Sequence, residues 1–173
     1  ADKLIVYGFP FYEPYEVFTI ADGELVQLPR PGNSECNELD TVEARYISDN
    51  GKYACGDCST GTGDVMTRYD LSSQVCIDLG LPSDAPQNTN AIAMGVNDEG
   101  IVVGAMEYGD GMSRGFIWID GEFTVFSITE DLTDIQFNAL NNRGLAVGCA
   151  FPVQSNSLVA FEYDLETGEF TIS

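Results

Sequence analysis

The 173-residue chain contains no histidine. That absence removes the side chain whose ordinary pKa lies nearest neutrality, and with it the commonest general base, the usual zinc site and any Ser-His or Cys-His nucleophile pair. Positive charge is almost as scarce. Seven Lys and Arg stand against 28 Asp and Glu, a formal net charge of −21. Nucleic acid and anionic membrane surfaces would be repelled, so neither is an expected partner. No apolar run approaches the roughly 20 residues that span a bilayer, so membrane insertion is not expected. No basic-apolar leader opens the sequence, and any export signal is expected to have been removed.

What is present points to a folded β domain. Hydrophobic residues make up 44%, with ten Phe and eight Tyr, enough for a core in a single domain of this length. Eighteen Gly, with Asp and Asn clustered between short apolar runs, favour an all-β reading.

The chain repeats itself. "VNDEGIVVGAM" (Val96 to Met106) and "LNNRGLAVGCA" (Leu140 to Ala150) share an apolar residue, a turn ending in Gly, an apolar triplet and a second Gly. "YISDNGKYACGDC" (Tyr46 to Cys58) is a third copy. The turn glycines Gly51, Gly100 and Gly144 follow Asn, Glu and Arg in polar turns, and positive φ is expected at all three. The second glycines, Gly56, Gly104 and Gly148, recur at 48 and 44 residues, and a further 48 back lies Gly8 in "LIVYGF". A second hairpin follows in each unit: "VFTIADGELVQL", "MTRYDLSSQVCI", "FIWIDGEFTVF" and "AFEYDLETGEFTI". Each unit is therefore a meander of four short strands, the size of a propeller blade. The reading is a single β-propeller-like repeat domain over 1–173, with about four four-stranded antiparallel blades at approximately 1–40, 41–90, 91–134 and 135–173. The first blade lacks its inner strand. A strand from elsewhere in the chain, further repeats of a larger array, or a neighbouring copy is expected to cover that edge. Val102, Val103, Ala146, Val147, Phe116 and Phe161 recur at matching positions and are expected in the core.

The pattern apolar-Asn-x-x-Gly-x-Val-Val-Gly, followed by a Phe-x-Trp/Tyr-Asp strand and a Gly turn, resembles the HAF-type extracellular repeat family. The strongest match runs from Asn97 to Gly121. The family's His-Ala-Phe triplet is degraded here to Arg114-Gly115-Phe116 and Val159-Ala160-Phe161. The resemblance implies a β-propeller-like protein in an extracellular, cell-surface or periplasmic location, without naming a reaction.

In an up-and-down meander the repeated turns share one face and the variable connections the other. Binding on a repeat scaffold usually uses the variable side. Phe11, Tyr12 and Tyr15 in "FPFYEPYE" could form an aromatic platform for sugar or protein, or cap the incomplete first blade. Glu107, Tyr108 and Asp110 in "EYGDG" are a second candidate binding loop, able in principle to ligate calcium, although one Asp-Gly loop is a weak calcium pattern beside a surface turn. A hydrolytic carboxylate pair would be drawn from Asp57, Asp64, Glu107 and Asp110. Trp118 occupies the slot of Tyr69, Tyr163 and approximately Thr19, and reads as blade-to-blade packing. Of the five cysteines, Cys55 sits in the Val103 slot and reads as a buried thiol. Cys36 and Cys58 are candidates for a disulfide, with Cys76 the alternative partner, which suits an oxidising compartment. The expected function is an exported, non-catalytic propeller-type module that binds protein or glycan, or assembles with copies of itself. The alternative is a carbohydrate-active hydrolase using two carboxylates.

Overall fold

The computed structural model describes residues 5–7, 17–21, 24–30, 41–60, 63–126, 132–153 and 157–172. Among them there is no helix. The first sheet holds β1 (Ile5–Tyr7), β2 (Val17–Ala21) and β3 (Glu24–Gln27). The second holds β4 (Thr41–Ile47), β5 (Tyr53–Thr60), β6 (Gly63–Asp70) and β7 (Val75–Asp78). The third holds β8 (Asn90–Val96), β9 (Val102–Glu107), β10 (Ser113–Ile119) and β11 (Glu122–Phe126). The fourth holds β12 (Leu132–Leu140), β13 (Leu145–Pro152), β14 (Val159–Asp164) and β15 (Phe170–Ile172). Every sheet is an antiparallel meander with strands neighbouring in chain order. The all-β repeat reading is thus met, and the first sheet has three strands among the described residues.

The sheets stack in chain order. β8 lies against β5 and β6, and β12 lies against β9 and β10. Cys55 and Met66 of the second sheet, with Leu79 just after β7, meet Ala91, Ala93, Phe116 and Trp118 of the third in one cluster. Val103 and Ile117 meet Leu132, Ile135, Phe137 and Phe161 in the next. Val102, Val103, Ala146, Phe116 and Phe161 are buried as expected. Val147 is not: it is 38% exposed. The reason is positional. Cys55 opposite Arg68 and Val103 opposite Ile117 are covered by the following sheet, whereas Val147 opposite Glu162 has no such sheet over it among the described residues.

The turn glycines have the expected positive φ, 66° at Gly51, 81° at Gly100 and 75° at Gly144. The second glycines have another cause. Each inner strand carries a β-bulge at the same place, between Ala44 and Tyr46, Ala93 and Gly95, and Phe137 and Ala139. The bulge swings a carbonyl over the neighbouring strand, so a Cβ on Gly56, Gly104 or Gly148 would overlap the carbonyl oxygen of Glu43, Ile92 or Gln136. The ring of Phe116 or Phe161 then packs on the bare Cα of Gly104 or Gly148. Bulges of this kind bend a strand and redirect its side chains, here Arg45, Met94 and Asn138.

Trp118 is buried between sheets, as its repeat position requires. The Arg68 guanidinium lies 4.7 Å over its ring and 5.1 Å over that of Tyr53, and donates to the Gly100 carbonyl at 2.9 Å. In the first sheet Val6 pairs with Phe18, so Phe18 rather than Thr19 takes the matching slot.

Candidate functional site

Of the expected binding segments, the variable loop 107–113 lies within the described residues. Glu107 ends β9 and is exposed, and Tyr108 is half-buried. Asp110 and Arg114 form a two-pronged ion pair, Nη2 to Oδ2 at 2.6 Å and Nη1 to Oδ1 at 3.1 Å. Asp110 also accepts the Met112 N–H, and Arg114 donates to the Met112 carbonyl. The hydrogen bonds from Arg114 and from Met112 hold the Asp110 carboxyl down at about 2, so it stays ionised until the pH falls to that value. Arg114 stacks on the Tyr108 ring at 4.4 Å, which fixes the phenol. Ser113 is tied to β12 through its N–H, which donates to Asp134, and its hydroxyl oxygen, which accepts from the Gln136 amide. Both Asp110 oxygens are thereby occupied, which argues against a calcium ligand there. Among the described residues no three His, Cys, Asp or Glu side chains gather as a metal site.

Tyr108 also forms one wall of a groove of about 680 Å3, with Leu81, Pro82, Asp84, Phe123 and Val125 around it. Burial and the Asp84 charge raise the Tyr108 pKa, against the pull of Arg114, so the phenol stays protonated and able to donate. The linker after the second sheet supplies one side of this groove, and β11 the other.

The acid candidates separate. Asp57 lies not in a loop but within β5, which runs on to Thr60, and it is 2% exposed. Its cross-strand neighbour is Glu43 on β4, which the sequence offered no reason to choose. The bulge residue Arg45 bridges the two, Nε to Glu43 at 2.8 Å and Nη1 to Asp57 at 3.2 Å. Burial lowers the Arg45 pKa, but the Glu43 hydrogen bond and the Asp57 charge outweigh it and hold the guanidinium charged. One guanidinium pairs with both carboxylates, whereas a glycosidase needs one carboxyl free to hand a proton to the leaving group. Phe11, Tyr12, Tyr15, Cys36 and the Asp64 side chain lie outside the described residues.

A third cluster was invisible in the sequence because it joins separate units. At the repeated turns the Asn142 amide donates to Asp49 at 3.0 Å and to Asp98 at 2.9 Å. Asp98 N–H donates to Asn142 Oδ1 at 2.8 Å, and Asn50 N–H to Asp98 Oδ1 at 2.9 Å. Three turns that are alike because each is a hairpin are also one another's partners.

Cys55 and Cys76 are buried free thiols and Cys149 is a half-exposed one. Cys76 is therefore not the partner of Cys58, which is not a free thiol. Burial, with the Asp57 charge, pushes the Cys55 thiol up, and burial raises Cys76 to about 12, so neither forms a reactive thiolate near neutral pH.

The fold places the chain among propeller-like proteins. It is similar to TolB from Acinetobacter baumannii, with TM-score 0.59 and 16% identity over 98% of this chain and 40% of that one. The chain thus spans well under half the length of that protein. An arabinanase from Bacillus subtilis aligns at TM-score 0.44 and 11% identity over 93% of this chain and 68% of that one. No protein-family model matches the sequence, and no curated sequence does.

Proposed function

We propose that the chain is a non-catalytic propeller-type binding module, of the HAF-type repeat kind, working outside the cytoplasm on a protein or glycan partner or on further copies of itself. The observation that carries this is the loop 107–113, where Arg114, Asp110 and Met112 lock Tyr108 at the mouth of the groove. A preformed aromatic wall loses little entropy on binding, which is what a recognition surface requires. Tyr108→Ala and Arg114→Ala are expected to weaken binding by about tenfold or more, as truncating an interface anchor does. Glycan-array and partner-capture measurements on the intact chain test this. Retained binding in both variants sinks the assignment of this loop.

The hydrolase reading has one observation in its favour, the Glu43, Arg45 and Asp57 cluster. Against it stands the shared guanidinium, which engages both acids in ion pairs. Release of reducing sugar that disappears in Glu43→Gln would reverse this preference.

An oxidising location also goes with a Cys36–Cys58 disulfide. Alkylation in denaturant is expected to label three thiols before reduction and all five cysteines after it. Five labelled without reductant would refute the pairing.

A further inference from the structure

The groove beside Tyr108 has a wall that can do more than pack. β11 is the last strand of the third sheet, and among the described residues nothing pairs with its outer edge. The β10–β11 hairpin turns through Asp120 and Gly121, with φ of 49° and 98°, so Ile119 and Glu122 close it as a directly paired couple. Pairing alternates along an antiparallel ladder, which turns the main-chain N–H and C=O of Phe123 and Val125 away from β10. The side chains of these same two residues line the groove. The charges around it are Asp84 and Glu122, with no Lys or Arg in the lining. Arg114, behind Tyr108, is already neutralised by Asp110.

We propose that this groove receives an extended, basic segment of a partner protein, which adds to β11 as a fifth strand. Its Lys or Arg side chains meet Asp84 and Glu122, and its alternate apolar side chains lie on Phe123 and Val125. Strand addition explains how the main chain gives affinity while alternate pockets give selection. Charge complementarity selects the occupant: a chain of net charge −21 with two carboxylates and no Lys or Arg lining the groove draws in cations. This rests on the binding-module reading and narrows it to one partner class.

The test uses a fluorescein-labelled synthetic peptide of alternating lysine and valine, followed by anisotropy with the intact chain at low and moderate salt. A second peptide of the same sequence carries N-methyl groups on its valines, keeping the charge and losing main-chain donors. Saturable binding is expected, weakened about tenfold by N-methylation, as loss of one or two hydrogen bonds gives. Val125→Pro removes an outward N–H without touching the pairs to β10 and is expected to weaken the unmodified peptide similarly, with an unchanged far-ultraviolet spectrum. Asp84→Asn with Glu122→Gln should weaken binding and flatten its salt dependence. Equal binding of the two peptides overturns strand addition, because acidity alone would then hold them. A neutral oligosaccharide bound in a Tyr108-dependent way, with no peptide binding, overturns the proposal and leaves the module reading intact. Binding of neither probe class overturns the proposal.

Discussion

Phe137→Ala is expected to cost about 3–5 kcal/mol, the range for deleting a fully buried aromatic ring. Phe137 is 0% exposed and lies at the centre of the joint between the third and fourth sheets. Its ring meets Phe126 at 4.9 Å and Phe161 at 5.2 Å, both edge-on, and Tyr163 at 6.1 Å. It also packs on the bare Cα of Gly115, where a Cβ would sit 2.7 Å from the ring. A cavity there opens an interface between two sheets rather than one within a sheet, so relaxation cannot fill it easily. Urea denaturation followed by tyrosine and tryptophan fluorescence measures the loss. A cost below about 1 kcal/mol would show that the two sheets do not depend on this joint.

Gly104→Ala is expected to cost at least about 3 kcal/mol, the upper end of overpacking penalties. The new methyl would overlap the Ile92 carbonyl oxygen and press on the Phe116 ring. A ring can turn, but a carbonyl fixed in a bulge cannot move without undoing the bulge. Gly148→Ala should behave alike, since the Gln136 carbonyl stands in the same place. Gly109→Ala is the control: its φ is 79°, yet nothing lies within 4 Å of the added carbon, so only the backbone penalty of about 1–2 kcal/mol applies. Equal losses at Gly104 and Gly109 would mean that the Ile92 carbonyl does not constrain this position.

The glycine spacing was legible in the sequence, but its cause was not. Turn glycines announce themselves through the Asn and Asp around them, because the reason is local. Gly56, Gly104 and Gly148 answer to a carbonyl on another strand, and no local pattern encodes a bulge across the ladder. Val147 went astray for a related reason. Its slot matches Val103, but burial at that slot depends on a following sheet and not on the strand that carries it. Of the candidate binding residues, Tyr108 and Asp110 were reachable because the connection around them differs from the repeat. Their fixing by Arg114 was hidden in what looked like a worn-down family triplet. Glu43 and Arg45 were missed because they sit mid-strand, where polar residues ordinarily face water.

Asn142 has a consequence for how the array comes apart. In a stack whose units touch only their neighbours, each joint fails independently and the chain can fray from an end like an undone zip. Here one amide links a turn of the fourth sheet to a turn of the second, 93 residues away, as well as to the third. Each such bond contributes on the order of 1 kcal/mol, small beside the buried faces. Its reach matters more than its size. Loosening the last sheet also releases a restraint on the second, so the three sheets tend to melt together, as a single cooperative unit rather than blade by blade.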